Sequence, residues 1–145
     1  MITIVIILYK SEKYIYDCLD SIKKNNLSNL ILEIILIDNY NGSTYHFDDD
    51  KVIYKKNTKN IGFSKSLNYA VDISKGKYIL SLNPDTLLYD NTIKIMYESF
   101  NIANNIGAVG VKVLNMDGTY LEYFPIKVLY NPLPQKIYIF GYALA

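Results

Sequence analysis

Residues 31–43 read "ILEIILIDNYNGS". Seven positions of this stretch, residues 31–37, are apolar except for Glu33, and four of them are isoleucine. A run this short, this apolar and rich in β-branched side chains suits a strand covered on both faces, as in a parallel sheet. The run stops at Asp38, and "DNYNGS" then supplies the residues that turns favour. A buried strand that delivers a carboxylate to its carboxyl end is the pattern from which the rest of the chain can be read.

The same pattern recurs. Residues 2–8, "ITIVIIL", form a first covered strand; residues 51–56 form a shorter, more polar one that suits a sheet edge. Residues 77–82 form a fourth, ended by "NPDT". Between them run helical periodicities. Ile15, Cys18, Leu19 and Ile22 predict an amphipathic helix over 12–25, with Ser11 as its cap. Phe63, Leu67, Ala70 and Val71 predict another over 62–74. Ile93, Met96, Tyr97 and Phe100 predict a third over 91–104, capped by Asp90. Further along, 107–114 is strand-like, "NMDG" at 115–118 is a turn, 119–124 suits a returning hairpin strand, and 136–141 suits a last strand. Alternating strands and helices with apolar strands predict an α/β domain with a mainly parallel sheet, mixed by the late hairpin.

Composition sets limits. The chain has 145 residues, half of them hydrophobic and 20% charged, which suits one globular domain. The net charge of +1 offers no field to recruit nucleic acid or an anionic membrane. All 15 basic residues are lysine. Bidentate guanidinium clamps on phosphate are therefore excluded, and an anionic ligand must be met by a metal ion, a lysine or backbone amides. One cysteine, Cys18, cannot form an internal disulfide; it lies on the apolar stripe of its helix and reads as core. Residues 2–8 are too short to span a bilayer.

In a parallel sheet the strand ends share one rim, where ligands of such folds bind. That rim would collect Leu8, Tyr9 and Lys10, then Asp38 and Asn39, residues 57–60 leading into a helix that begins near Gly62, and Asn83, Pro84 and Asp85. Asp38 can accept the N3–H of a uracil or thymine base, and a helix start at Gly62 can face an anion. Asp85 can hold a hard divalent cation while a diphosphate supplies further oxygens. Asp38 and Asp85 are equally good turn residues, and Asn60 and Asn68 suit helix capping or a solvated face as well as ligand contact. Asp48, Asp49 and Asp50 read as a solvated loop, and His46 beside them as a surface residue. No glycine-rich dinucleotide fingerprint and no P-loop is present. A nucleotidyltransferase of similar shape would need a glycine-rich basic loop, and "ILYKSEK" has no glycine.

Taken in order, "ILYKSEKYIYDCLDSI", "EIILIDNYNGS", "KNTKNIGFSKSLNYAV" and "GKYILSLNPDT" resemble family-2 glycosyltransferases, most of all their rhamnosyltransferase-like branch. The resemblance covers about residues 2–118. It implies a GT-A, Rossmann-like three-layer sandwich. Residues 1–118 would be the nucleotide-sugar-binding core and 119–145 the start of an acceptor-side region. It implies that Leu8 and Tyr9 line the nucleoside pocket and that Asp38 binds the base. Asn60, Gly62 and Asn68 would lie beside the nucleotide, with Asn83 in the place of a first metal-motif carboxylate. Asp85 would bind Mg2+ or Mn2+. The implied reaction is an inverting, metal-dependent transfer of a sugar from a UDP- or dTDP-sugar to a glycan or lipid-linked acceptor. Its setting would be cytoplasmic, at a membrane surface if the acceptor is lipid-linked. In the family the general base lies beyond the segment that "YIFGYALA" resembles, so no catalytic base is assigned. The chain is expected to be either a fragment of a longer protein or a short form. A non-catalytic nucleotide-sugar-binding module is the alternative. The aromatic residues between Tyr120 and Tyr142 suit an acceptor groove or packing against a further region equally.

Overall fold

A computed structural model describes the chain except residues 26–28, 104–105, 112, 116–117, 120–136 and 142–145, and gives the backbone alone for 137–141. The described elements are β1 (Ile2–Leu8), α1 (Ile15–Asn25), β2 (Ile31–Asp38), β3 (Val52–Lys56), α2 (Phe63–Ile73), β4 (Tyr78–Leu82), α3 (Thr92–Ser99), β5 (Ala108–Gly110) and β6 (Ile137–Gly141). The strands form one sheet in the order β3-β2-β1-β4-β6-β5, and every described pairing is parallel.

Side-chain alternation along the strands builds two cores. Ile2, Ile4, Ile6 and Leu8 of β1 point to one face, with Ile34 and Leu36 of β2 and Leu80 and Leu82 of β4. Onto that face α1 lays Ile15, Cys18, Leu19 and Ile22, and α3 lays Ile93 and Met96. Val5, Ile35, Ile37 and Ile79 point the other way and meet Ala70, Leu67 and Val71 of α2. Helices on both faces make three layers, as the covered strands predict. Each fully buried isoleucine or leucine contributes about 1.5–3 kcal/mol, so the isoleucine-rich strands dominate stability.

At the amino ends of the strands a polar clamp joins three segments. Glu33 is buried, and its Oε1 accepts the Thr3 hydroxyl at 2.8 Å and the Lys75 amide at 2.6 Å. The Thr3 hydroxyl in turn accepts the Gly76 amide at 2.9 Å. Gly76 therefore passes against β1 with no room to spare. A Cβ there would lie 2.5 Å from the Thr3 nitrogen and 2.9 Å from the Ile2 carbonyl carbon.

Several local expectations need correction. α1 begins at Ile15 rather than residue 12, and the Ser11 side chain does not cap it. The Ser11 carbonyl accepts the Tyr14 and Ile15 amides, while its hydroxyl turns back to Tyr9. α3 is shorter than 91–104. Asn91, not Asp90, stands at its N-cap, in a left-handed conformation with no side-chain capping bond. The helix ends because the amides of Phe100, Asn101 and Ile102 bond three residues back, which tightens the last turn. The strand expected over 107–114 is confined to Ala108–Gly110. Of the turn expected over 115–118, residues 116–117 lie outside the described residues, and the Gly118 amide donates to the Asn115 carbonyl at 2.9 Å. The hairpin strand expected over 119–124 and the aromatic residues from Tyr120 onward fall almost wholly outside the described side chains.

Gly76→Ala is expected to lower stability by about 1–3 kcal/mol in urea denaturation, because the methyl group meets the backbone of Ile2 and Thr3 as well as the Thr3 hydroxyl. A change under about 0.5 kcal/mol would show that the two segments are not tightly apposed.

Candidate nucleotide-sugar site

The parallel sheet brings four strand ends to one edge. Leu8 pairs with Asp38, and Asp38 with Lys56, so three strands end level. β4 ends two register positions earlier, with Leu82 opposite Ile6. Strand order reverses at β1: β2 lies on one side, reached through α1, and β4 on the other, reached through α2. In open α/β sheets a crevice forms beyond the carboxyl ends at such a reversal.

Asp38 sits at the centre of this rim and is fully buried. Its Oδ1 accepts the Tyr40 amide at 2.8 Å. Its Oδ2 accepts the Tyr54 hydroxyl at 2.7 Å and the Ser43 hydroxyl. Three of roughly four acceptor directions of the carboxylate are thus taken by the chain itself, and one remains on Oδ1. Burial pushes the Tyr54 phenol up to about 12, and donation to Asp38 adds to the effect.

Asn39, expected on the rim as a strand-end residue, ties that rim together. It is buried, its amide donates to the Leu8 carbonyl at 2.9 Å, and its side-chain Oδ1 accepts the Asn57 amide group at 2.8 Å. Its side chain also bonds the Ser66 hydroxyl of α2 at 3.0 Å. One residue after β2 thereby fixes the ends of β1 and β3 and the first turn of α2. The only sequence signal was its place beside Asp38. Ser66 lies 27 positions away, and that pairing is tertiary.

The three residues before α2 form a small turn, in which the Asn60 Oδ1 accepts the Gly62 amide at 2.8 Å. Gly62 has φ 83°, a left-handed value that glycine adopts without strain. Asn60 and Gly62 are therefore together and exposed at the helix start. Asn68 is also exposed, whereas Ser66 and Ala70 face the sheet. Two residues from either, it stands on the side of α2 away from the core.

Leu8 is buried beneath the rim, while Tyr9 is 52% exposed above it. The Tyr9 ring meets the Tyr40 ring edge-on, with centroids 5.8 Å apart.

After β4, residues 83–86 form a turn closed by the Thr86 amide on the Asn83 carbonyl at 3.2 Å, with proline in its usual second position. The turn reading is correct, but it does not exhaust Asp85. Among the described residues, Asp85 Oδ1 and Thr86 Oγ1 are buried without a hydrogen-bond partner. Buried oxygens are rarely left so. A carboxylate oxygen in that state fits a hard cation. The Cys18 thiol lies beneath this turn, its Sγ 3.7 Å from the Asn83 carbonyl. Burial, and next the nearby charge of Asp85, push that thiol up to about 12. Cys18 is a core residue and not a nucleophile.

The other candidates behave as surface. Asp49 accepts the Lys51 amide and pairs with Lys23 at 3.4 Å, and His46 pairs with Asp48 in the open. No group of three metal-ligating side chains occurs among the described residues. A groove of about 630 Å³ opens between α1 and residues 87–90, lined by Asp17, Asp20 and Asp90 against Lys24. Its carboxylates make it a poor host for a diphosphate. No helix among the described residues is long and apolar enough to cross a membrane.

The raised thiol has a consequence for stability. Cys18 gives up its proton near pH 9 when unfolded and near 12 when folded. The associated stability is complete below pH 9 and is lost as pH climbs through 12. Urea midpoints are expected to fall over that window more steeply in the native chain than in Cys18→Ala; parallel curves would contradict this.

Comparison with known proteins agrees with the geometry. The family model described as glycosyl transferase family 2 matches residues 3–142. The chain is 27% identical over 107 residues to glycosyltransferase GlyG of Streptococcus pneumoniae, covering 68% of this chain and 34% of that protein. It is 32% identical over 95 residues to an uncharacterized glycosyltransferase of Methanocaldococcus jannaschii, covering 60% of this chain and 32% of that one. The chain thus spans about a third of the length of these relatives. Among solved structures it is similar to S. aureus TarS 1-349 in complex with UDP, with a TM-score of 0.66 at 19% identity, covering 94% of this chain and 46% of that one. The complex of the same protein with UDP-GlcNAc gives a TM-score of 0.63 at 18% identity, covering 79% and 35%. TarS shares the three-layer fold. A match over nearly all of its length places this chain in glycosyl transferase family 2.

Proposed function

We propose that this chain binds a nucleotide-diphospho-sugar at the rim above β1, β2 and β4, as the donor side of an inverting, metal-dependent glycosyltransferase. The observation that carries the reading is Asp85: a carboxylate with a buried oxygen that has no hydrogen-bond partner among the described residues, on the turn after β4 beside the strand-order reversal.

The remaining acceptor direction on Asp38 Oδ1 suits the single N3–H of a uracil or thymine, which favours a UDP- or dTDP-sugar. Leu8 and Tyr9 line the nucleoside. Asn60, Gly62 and the first amides of α2 face the anionic part of the donor. Asn68, on the exposed side of α2, belongs to this set through the family likeness alone. Asp85 holds Mg2+ or Mn2+, with Asn83 adding a neutral oxygen. When bound, the ion would neutralise the leaving diphosphate. The acceptor hydroxyl forms its bond to the anomeric carbon as the bond to the diphosphate breaks, and a base takes the hydroxyl proton. The acceptor is a glycan or a lipid-linked molecule, and the likeness to the rhamnosyltransferase-like branch is part of the same reading. A cytoplasmic setting, at the membrane surface for a lipid-linked acceptor, goes with this reading.

A non-catalytic donor-binding module is the second reading. Asn83 in place of a carboxylate favours it, because one charge then holds the cation.

Calorimetry with UDP separates the parts of the proposal. Mn2+ is expected to tighten UDP binding about tenfold or more, and Asp85→Ala to remove that increment while thermal unfolding stays cooperative. UDP binding that is indifferent to Mn2+ would contradict the metal role. Donor hydrolysis or sugar transfer would rule out the non-catalytic reading.

A further inference from the structure

Lys10 follows β1 directly, in a left-handed conformation with φ 53° that a lysine adopts only under local constraint. Its ammonium stands 5.7 Å from the centroid of the Tyr9 ring and 5.3 Å from that of Tyr40. Both distances fall within the range of cation–ring attraction. Among the described residues no carboxylate pairs with Lys10. Lys56, at the end of β3, is differently placed: its ammonium donates to the Ser43 carbonyl at 2.7 Å. The chain has no arginine, so any side-chain charge offered to a diphosphate must be an ammonium.

We propose that Lys10 rests on the faces of Tyr9 and Tyr40 in the free chain and, when the donor arrives, yields the ring surface to the nucleobase and pairs with the diphosphate. The inference rests on the proposed donor site and adds to it a residue that reads phosphate charge. A planar base and an ammonium compete for the same ring surface. An exposed ammonium on a tyrosine face is held weakly, and a charge-assisted bond to a phosphate oxygen is stronger. The exchange therefore runs toward phosphate when the ligand carries one. A nucleoside without phosphate displaces the ammonium and offers it nothing.

That difference is the test. Uridine and UDP are titrated without metal into the unsubstituted chain, Lys10→Gln and Lys10→Arg, with affinities followed by NMR. Lys10→Gln is expected to weaken UDP about tenfold or more and to leave uridine within about threefold. Lys10→Arg keeps the charge and is expected to hold UDP within about threefold of the unsubstituted chain. The inference is overturned by unchanged UDP affinity in Lys10→Gln. It is equally overturned by equal losses for uridine and UDP, or by a loss in Lys10→Arg as large as in Lys10→Gln. If the unsubstituted chain binds UDP neither without metal nor with Mn2+, the donor reading itself fails, and this inference fails with it.

Discussion

The junction after β2 is the constraint on which the rim depends. Asp38 and Asn39 are adjacent, buried and held by hydrogen bonds, one from its own loop and β3, the other to the ends of β1 and β3 and to α2. A parallel sheet aligns strand ends but leaves the loops beyond them to find their own shape. Here two polar side chains impose that shape, in a place where an unpaired polar group would be costly. The loop that carries Tyr40, Tyr45 and Phe47 is held down as a result. Tyr45 takes the Ser11 amide at 2.9 Å, and its ring stacks on Phe47. The first strand's exit and the second strand's exit are thereby one unit.

The two ends of the sheet divide the work. At the amino ends, Thr3, Glu33 and Gly76 close a polar network in which the donors find acceptors and a glycine permits contact. At the carboxyl ends, Asp85 and Thr86 keep buried oxygens without partners among the described residues. Lys10 is held on ring faces in a strained backbone conformation. Hydrogen bonds are closed at the first end, and buried oxygens without partners among the described residues lie at the second.

Much of this was legible in the residues. The covered strands and the apolar stripe of α2 follow from period and composition, because burial on both faces leaves little choice of side chain. The polar strand ending in Lys56 is indeed the sheet edge. What escaped was local or tertiary. α3 starts at an asparagine in a left-handed conformation, which apolar spacing does not report. Ser11 begins a helix with its carbonyl and spends its hydroxyl elsewhere. In the site, Asp38 and Asp85 were recognisable as strand-end carboxylates. The roles of Asn39, Ser43 and Tyr54 were not legible, since they exist only once β2, β3 and α2 are side by side. "SLNPDT" is a turn and a candidate cation site at once; the two readings are not rivals.

The central claim is that the cation and donor meet at the turn after β4. Paramagnetic broadening by Mn2+ in the presence of UDP, read from amide resonances, tests it most directly. The account predicts that broadening is centred on residues 83–86 and extends to residues 9–11 across the strand-order reversal. Broadening centred on Asp48, Asp49 and Asp50, or on the acidic groove beside α1, would contradict it.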